Sequence, residues 1–125
     1  MRFMFIVSSE GDGPPTPELM QAMHAMAERE VKAGRMIADG GLMPPQTGAQ
    51  VRLKSGKLVV LDGPFTETKE FIGGFAIFEL PDMAAAVESA RSFLDLHRQH
   101  APGWEGRCEI RQLAGSQVER IRAGA

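Results

Sequence analysis

Apolar side chains alternate along the opening stretch from Arg2 to Ser9. Phe3, Phe5 and Val7 fall on one face of an extended chain and Met4 and Ile6 on the other. This spacing predicts a strand that is apolar on both sides. A loop rich in Gly and Pro, Glu10 to Pro17, separates it from a helix start. Thr16-Pro17-Glu18 supplies a capping hydroxyl, a proline at the first helical position and an acid in the first turn. Helical spacing then predicts a helix to about Ala33, with Met20, Met23, Ala27 and Val31 as its apolar stripe, Leu19 and Met26 beside them, and Gly34 as the stop. Arg35 to Met43 reads as a short strand broken by Gly40-Gly41 and ended by Pro44-Pro45. Val51 to Lys54 and Lys57 to Leu61 flank Ser55-Gly56, the pattern of a β-hairpin. Gly74 to Leu80 is the clearest strand. Asp82 is placed to cap a second helix whose stripe is Met83, Val87, Ala90, Leu94 and His97, with Ala101-Pro102-Gly103 ending it. Arg107 to Leu113 reads as the last strand. One domain therefore spans residues 1–114, followed by a polar tail over residues 115–125.

The order is β-α-β, an inserted hairpin, then β-α-β. In a chain of this size it predicts an α+β fold of the ferredoxin-like kind, an antiparallel sheet with both helices on one face. The helices can cover only that face. The other cannot be polar, because Phe75 and Ile77 alternate with Ala76, Phe78 and Leu80 and all are apolar. A second copy of the chain is the expected cover, giving a homodimer packed sheet to sheet.

Composition narrows the partners. The chain has 125 residues, a net charge of −2 and no basic cluster, which argues against nucleic acid as a ligand. Its single cysteine, Cys108, can form no internal disulfide and has no second thiol for a metal pair. The N-terminus lacks the pattern of a signal peptide, and no apolar run is long enough to span a membrane, so a cytoplasmic protein is expected.

Several catalytic signatures are absent: no dinucleotide fingerprint, phosphate-binding loop, zinc-protease helix or nucleophile elbow is present, and no cofactor is expected. His97 and His100 have the spacing to share a metal, but a helix end favours histidines electrostatically, and no metal site is expected. His24 lies at the edge of the first helix's stripe, one turn from Glu28. It can serve as a general base at a pocket rim, or simply pair with Glu28 at the surface. Glu30 falls near the middle of the apolar face, where it can be a pocket acid or a flank carboxylate that reaches water or pairs across a dimer. Asp39 and Asp62 are carboxylates at strand ends beside glycines, where turn formation and ligand contact both suit them. Arg52 on the hairpin can neutralise an anionic ligand or stay solvated. Trp104 can cover a pocket or close the helix–strand connector, and Cys108 reads as a small buried residue.

One stretch concentrates the remaining chemistry. Asp62-Gly63-Pro64-Phe65-Thr66-Glu67-Thr68-Lys69-Glu70 is followed by Phe71-Ile72-Gly73-Gly74-Phe75. Pro64 breaks the strand, Phe65 and Phe71 are anchors, and Glu67, Lys69 and Glu70 stand between them as a pocket wall or an ion-pair network. This motif resembles the signature of the YCII-related proteins, in the branch called DGPF-domain proteins. The resemblance extends over the opening strand, Ala33-Gly34, Gly41-Leu42-Met43-Pro44, Val51-Arg52, Gly73-Gly74-Phe75 and Glu109-Ile110-Arg111. It implies a dimeric α/β barrel of ferredoxin-like halves. The wider group is similar in fold to muconolactone isomerases, and some members are thought to use a His–Asp pair in a cleft, which here would fall on His24 and Asp39. The branch usually carries Gly-Glu-Gly-Leu where this chain reads Asp39-Gly40-Gly41-Leu42. An association of DGPF proteins with sigma factors implies a regulatory role as the alternative.

Two functional readings follow. In the first, a small cofactor-free isomerase, lyase or dehalogenase acts on a small cyclic or anionic substrate. His24 is its base, Asp39 or Asp62 orients that base, and Arg52, Phe65, Glu67, Lys69 and Glu70 form the binding wall. In the second, a non-catalytic dimer binds a ligand or a regulatory partner.

Overall fold

The computed structural model describes residues 1–11, 14–63 and 71–124. The chain runs β1 (Arg2–Ser9), α1 (Pro17–Lys32), β2 (Met36–Gly41), a single 3-10 turn (Pro45–Thr47), β3 (Ala49–Lys54), β4 (Lys57–Asp62), β5 (Phe71–Glu79), α2 (Met83–His100), β6 (Gly106–Gln112) and α3 (Gln117–Arg122). β2, β5, β1 and β6 form an antiparallel four-stranded sheet in that order, and β3 and β4 pair separately as the inserted hairpin. This is the ferredoxin-like α+β arrangement that the element order predicts.

Local chemistry fixes the element ends. Thr16 caps α1 by accepting the Leu19 N–H at 3.1 Å, and Asp82 caps α2 by accepting the Ala85 N–H at 2.8 Å. Ser55 and Gly56, at φ of 52° and 75°, make the mirror-image turn that matches the twist of a two-residue hairpin. The stretch read as a polar tail forms α3, capped by Ser116. Arg2 ties it to the sheet by pairing with both Glu119 and, at 3.1 Å, Glu79.

α1 and α2 lie on one face of the sheet. Phe3, Phe5 and Phe78 project toward them and pack with Leu80, Ala86 and Ala90 into the core. Phe5 and Phe78 stack with ring centroids 4.7 Å apart. The helices are rolled from the stripes that spacing alone suggests. In α1 the buried centre is Leu19, while Met20 and Val31 are exposed; in α2 it is Ala86, Ala90 and His97, while Met83 and Val87 are exposed. The small Ala86 and Ala90 let α2 approach the Phe rings closely, and the larger Met83 and Val87 lie to the side.

The opposite sheet face carries Met4 against Ile77 and Ile6 against Phe75, all partly exposed. The hairpin adds Val51, Leu53, Leu58 and Val60, all strongly exposed. Among the described residues, no helix is long and apolar enough to cross a membrane.

Candidate functional site

Two glycine doublets hollow out the space between α1 and the sheet. Gly73 is the extra residue where β5 shifts register against β1, and the following Gly74 lies opposite Gly41 of β2. Gly41 and Gly74 share the helix-facing side with Val7, so this end of the sheet presents bare backbone where other rows carry side chains. A Cβ at Gly74 would sit 2.9 Å from the Gly40 carbonyl oxygen, so only glycine permits this approach of β2 to β5. Above this floor is a cavity of about 700 Å³. Met20, Met23, Met26 and Met36 supply much of its wall, a soft surface that adapts to ligand shape. The size and apolar character suit a small molecule.

Polar groups enter the cavity from separate elements. His24 and Glu30 come from α1, Asp39 from β2 and His97 from α2. His24 sits at the rim with its side chain 82% exposed, its Nε2 4.0 Å from Glu28 Oε2. Asp39 is exposed at the opposite wall. No hydrogen bond joins His24 to Asp39, although both line the same cavity. Glu30, 14% exposed, is held by Arg35, whose Nε lies 2.8 Å from Oε2 and whose terminal nitrogen also contacts that oxygen. It is therefore a paired carboxylate at the cavity wall. The described lining contains no Lys or Arg.

The other residues expected to carry chemistry lie elsewhere. Asp62 ends β4 opposite Ala49, and Arg52 on β3 donates to Gln50 Oε1 at 3.0 and 2.8 Å; neither lines the cavity. Phe65, Glu67, Lys69 and Glu70 fall outside the described residues. Cys108 packs against the core, and burial pushes its thiol up to about 11. Among the described residues no group of three or more His, Cys, Asp or Glu is arranged to hold a metal.

The group that residue-by-residue reading undervalued is His97. It is 5% exposed and lines the cavity. Its Nδ1 lies 3.0 Å from the Phe93 carbonyl oxygen. Its ring packs against Phe93 at a centroid distance of 4.8 Å and against Trp104 at 4.3 Å. The turn after α2 creates this arrangement. Gly103 takes φ of 86°, the Trp104 N–H closes the turn onto the Ala101 carbonyl at 2.9 Å, and the indole folds back over His97. Gly106 makes room: a Cβ there would lie 2.4 Å from Trp104 Cη2 and 2.2 Å from the Ser8 carbonyl oxygen. Burial lowers the pKa of His97 below its ordinary 6.5, opposed by the bond to Phe93. The signal was present in the sequence: His97 continues the α2 stripe one turn after Phe93, and a Pro-Gly turn brings a tryptophan back within seven residues.

Comparison with known proteins identifies the family. The YCII-related domain family matches residues 1–93, about three quarters of the chain. The protein belongs to the YCII-related family. It is also similar to an uncharacterised protein of Rhizobium meliloti (strain 1021), with 31% identity over 96 residues, covering 77% of this chain and 73% of that one. In this YCII-related chain the match takes in β1, α1, β2, the hairpin and β5, which together supply most of the cavity wall.

Proposed function

We propose that this YCII-related protein binds a small, mainly apolar molecule between α1 and the sheet and acts on it as a cofactor-free acid–base enzyme of the isomerase, lyase or dehalogenase type. One observation carries the reading: His24 and Asp39, from different elements, line one cavity of about 700 Å³. His24 takes a proton from the substrate, and Asp39 offsets the charge that the imidazole gains. With Asp39 and Glu30 in the described wall and no Lys or Arg, an uncharged substrate is favoured; an anionic one would need a cation such as Lys69 from outside the described residues. Membership of the DGPF branch, which rests on the motif at 62–70, is part of the same proposal.

A screen of neutral cyclic fragments by methyl NMR tests the binding step. Hits should move the Met23, Met26 and Met36 methyl signals, and a library that leaves all three unmoved at millimolar concentration would remove the cavity reading. For any hit that is turned over, His24→Ala should slow the reaction by about 10²–10⁴-fold. Unaltered turnover would take the base assignment away from His24. The alternative is a non-catalytic ligand-binding or regulatory dimer. It is favoured by the exposure of His24 and its pairing with Glu28, which leave it without a fixed partner in the cavity.

The proposal includes a homodimer. Met4, Ile6, Phe75 and Ile77 form an apolar sheet face that neither α1 nor α2 covers, and a second copy would bury it sheet to sheet. The exposed Val51, Leu53, Leu58 and Val60 of a hairpin too small to be stable alone add a further surface for that partner. Light scattering at micromolar concentration should give twice the chain mass; a monomer would refute the arrangement.

A further inference from the structure

The His97 end of the cavity is built for one chemical task that the His24–Asp39 reading does not use. A backbone carbonyl can only accept a hydrogen bond. The 3.0 Å contact with the Phe93 oxygen therefore puts the proton of a neutral His97 on Nδ1 and leaves a lone pair on Nε2. Nε2 has no hydrogen-bond partner among the described residues. It is not sealed from solvent either, since no buried side-chain nitrogen or oxygen among the described residues lacks a partner. A polar atom on a side chain only 5% exposed, in the wall of a mainly apolar cavity, meets either water or a ligand. The rings of Phe93 and Trp104 hold the imidazole from two sides, so its direction is set before anything binds.

We propose that His97 Nε2 is the anchoring acceptor of the cavity, taking a hydrogen bond from an uncharged hydroxyl or amide N–H on a mainly apolar small molecule. This rests on the cavity being the ligand site. Such an acceptor discriminates: a molecule of the same shape without the donor displaces the water from Nε2 and returns no hydrogen bond, so it binds more weakly. Burial that keeps His97 neutral favours this role, because a protonated ring would be a donor at both nitrogens and would select the opposite kind of ligand. His97 is thus a specificity residue at the buried end, while any proton transfer belongs to the rim.

The test uses the full chain with histidine ¹⁵N labels and two probes, 1-naphthol and 1-methoxynaphthalene, which share a ring system and differ in the donor. The expected result is that 1-naphthol moves the His97 Nε2 signal while 1-methoxynaphthalene does not, and that 1-naphthol binds about tenfold more tightly. In His97→Phe that preference should disappear while both probes still bind. If both bind the native chain equally and Nε2 stays unmoved, the anchor is overturned and the cavity reading survives. If neither moves any cavity signal, the anchor falls together with the cavity reading. The measurement on the native chain decides the matter even where the variant does not fold.

Discussion

At the rim of the cavity, His24 stands in water on the outside of α1, with Glu28 4.0 Å away as its nearest charged partner. At the buried end, His97 is enclosed by two aromatic rings, hydrogen-bonded through one nitrogen and open through the other. The two residues face the same apolar space, yet different physics governs them. Solvent surrounds the first ring, and packing fixes the second. A base that must gain and lose protons fits the wet end, while an acceptor that must not change its proton fits the dry end. The comparison teaches that a histidine's chemistry here is decided less by its neighbours in sequence than by which layer of the fold its ring enters.

The contrast is broken most directly by truncating each ring. His97→Ala should cost about 2–4 kcal/mol in urea unfolding, because it removes a buried ring from between Phe93 and Trp104 and leaves a cavity. His24→Ala should change stability by less than about 0.5 kcal/mol, as exposed substitutions do. Equal costs would mean that the two ends are not distinct.

A smaller effect is expected at Gly106, whose added Cβ would press on the Ser8 carbonyl at 2.2 Å and on the Trp104 ring at 2.4 Å. Gly106→Ala should destabilise by about 1–3 kcal/mol and shift tryptophan emission as the indole leaves its seat. Native stability with unaltered emission would show that Trp104 is not held there.

Acid sharpens the comparison further. The pKa of His97 is lowered in the folded chain, so the unfolded chain binds more protons around its ordinary 6.5. Its contribution to stability is fully present above 6.5 and is lost as the pH falls from there through the folded value. Unfolding midpoints of the native chain should therefore drop across this window more than those of His97→Phe. Parallel curves would remove His97 as the cause.

A mild change at the cavity floor is Gly41→Val. Among the described residues a Cβ there meets only the Gly73 carbonyl oxygen, at 3.9 Å, so stability should move by less than about 1 kcal/mol. The added side chain occupies the cavity floor, however, and probe binding should weaken. Undiminished binding would place the ligand away from the glycine floor.

Much of the fold is legible from local chemistry. The alternation of Phe3, Phe5 and Val7, the Thr16 and Asp82 caps and the Ser55-Gly56 turn each act over a few residues, and the element order follows from them. The same holds for the glycine doublets, which announce a gap in side chains though not its depth. The site is less legible. His24 and Asp39 can be picked out by type and position, but not the separation between them. His97 can be placed on a buried stripe and still be mistaken for a helix-end histidine. What the sequence determined by itself is the set of elements, because capping, turn geometry and period are short-range. What only the tertiary structure decided is the roll of each helix and the seat of each ring. A face of Met and Ala spans too wide an arc to name its own centre, so Leu19, Ala86 and His97 became the buried line only when the Phe3, Phe5 and Phe78 rings and the returning Trp104 took up their space.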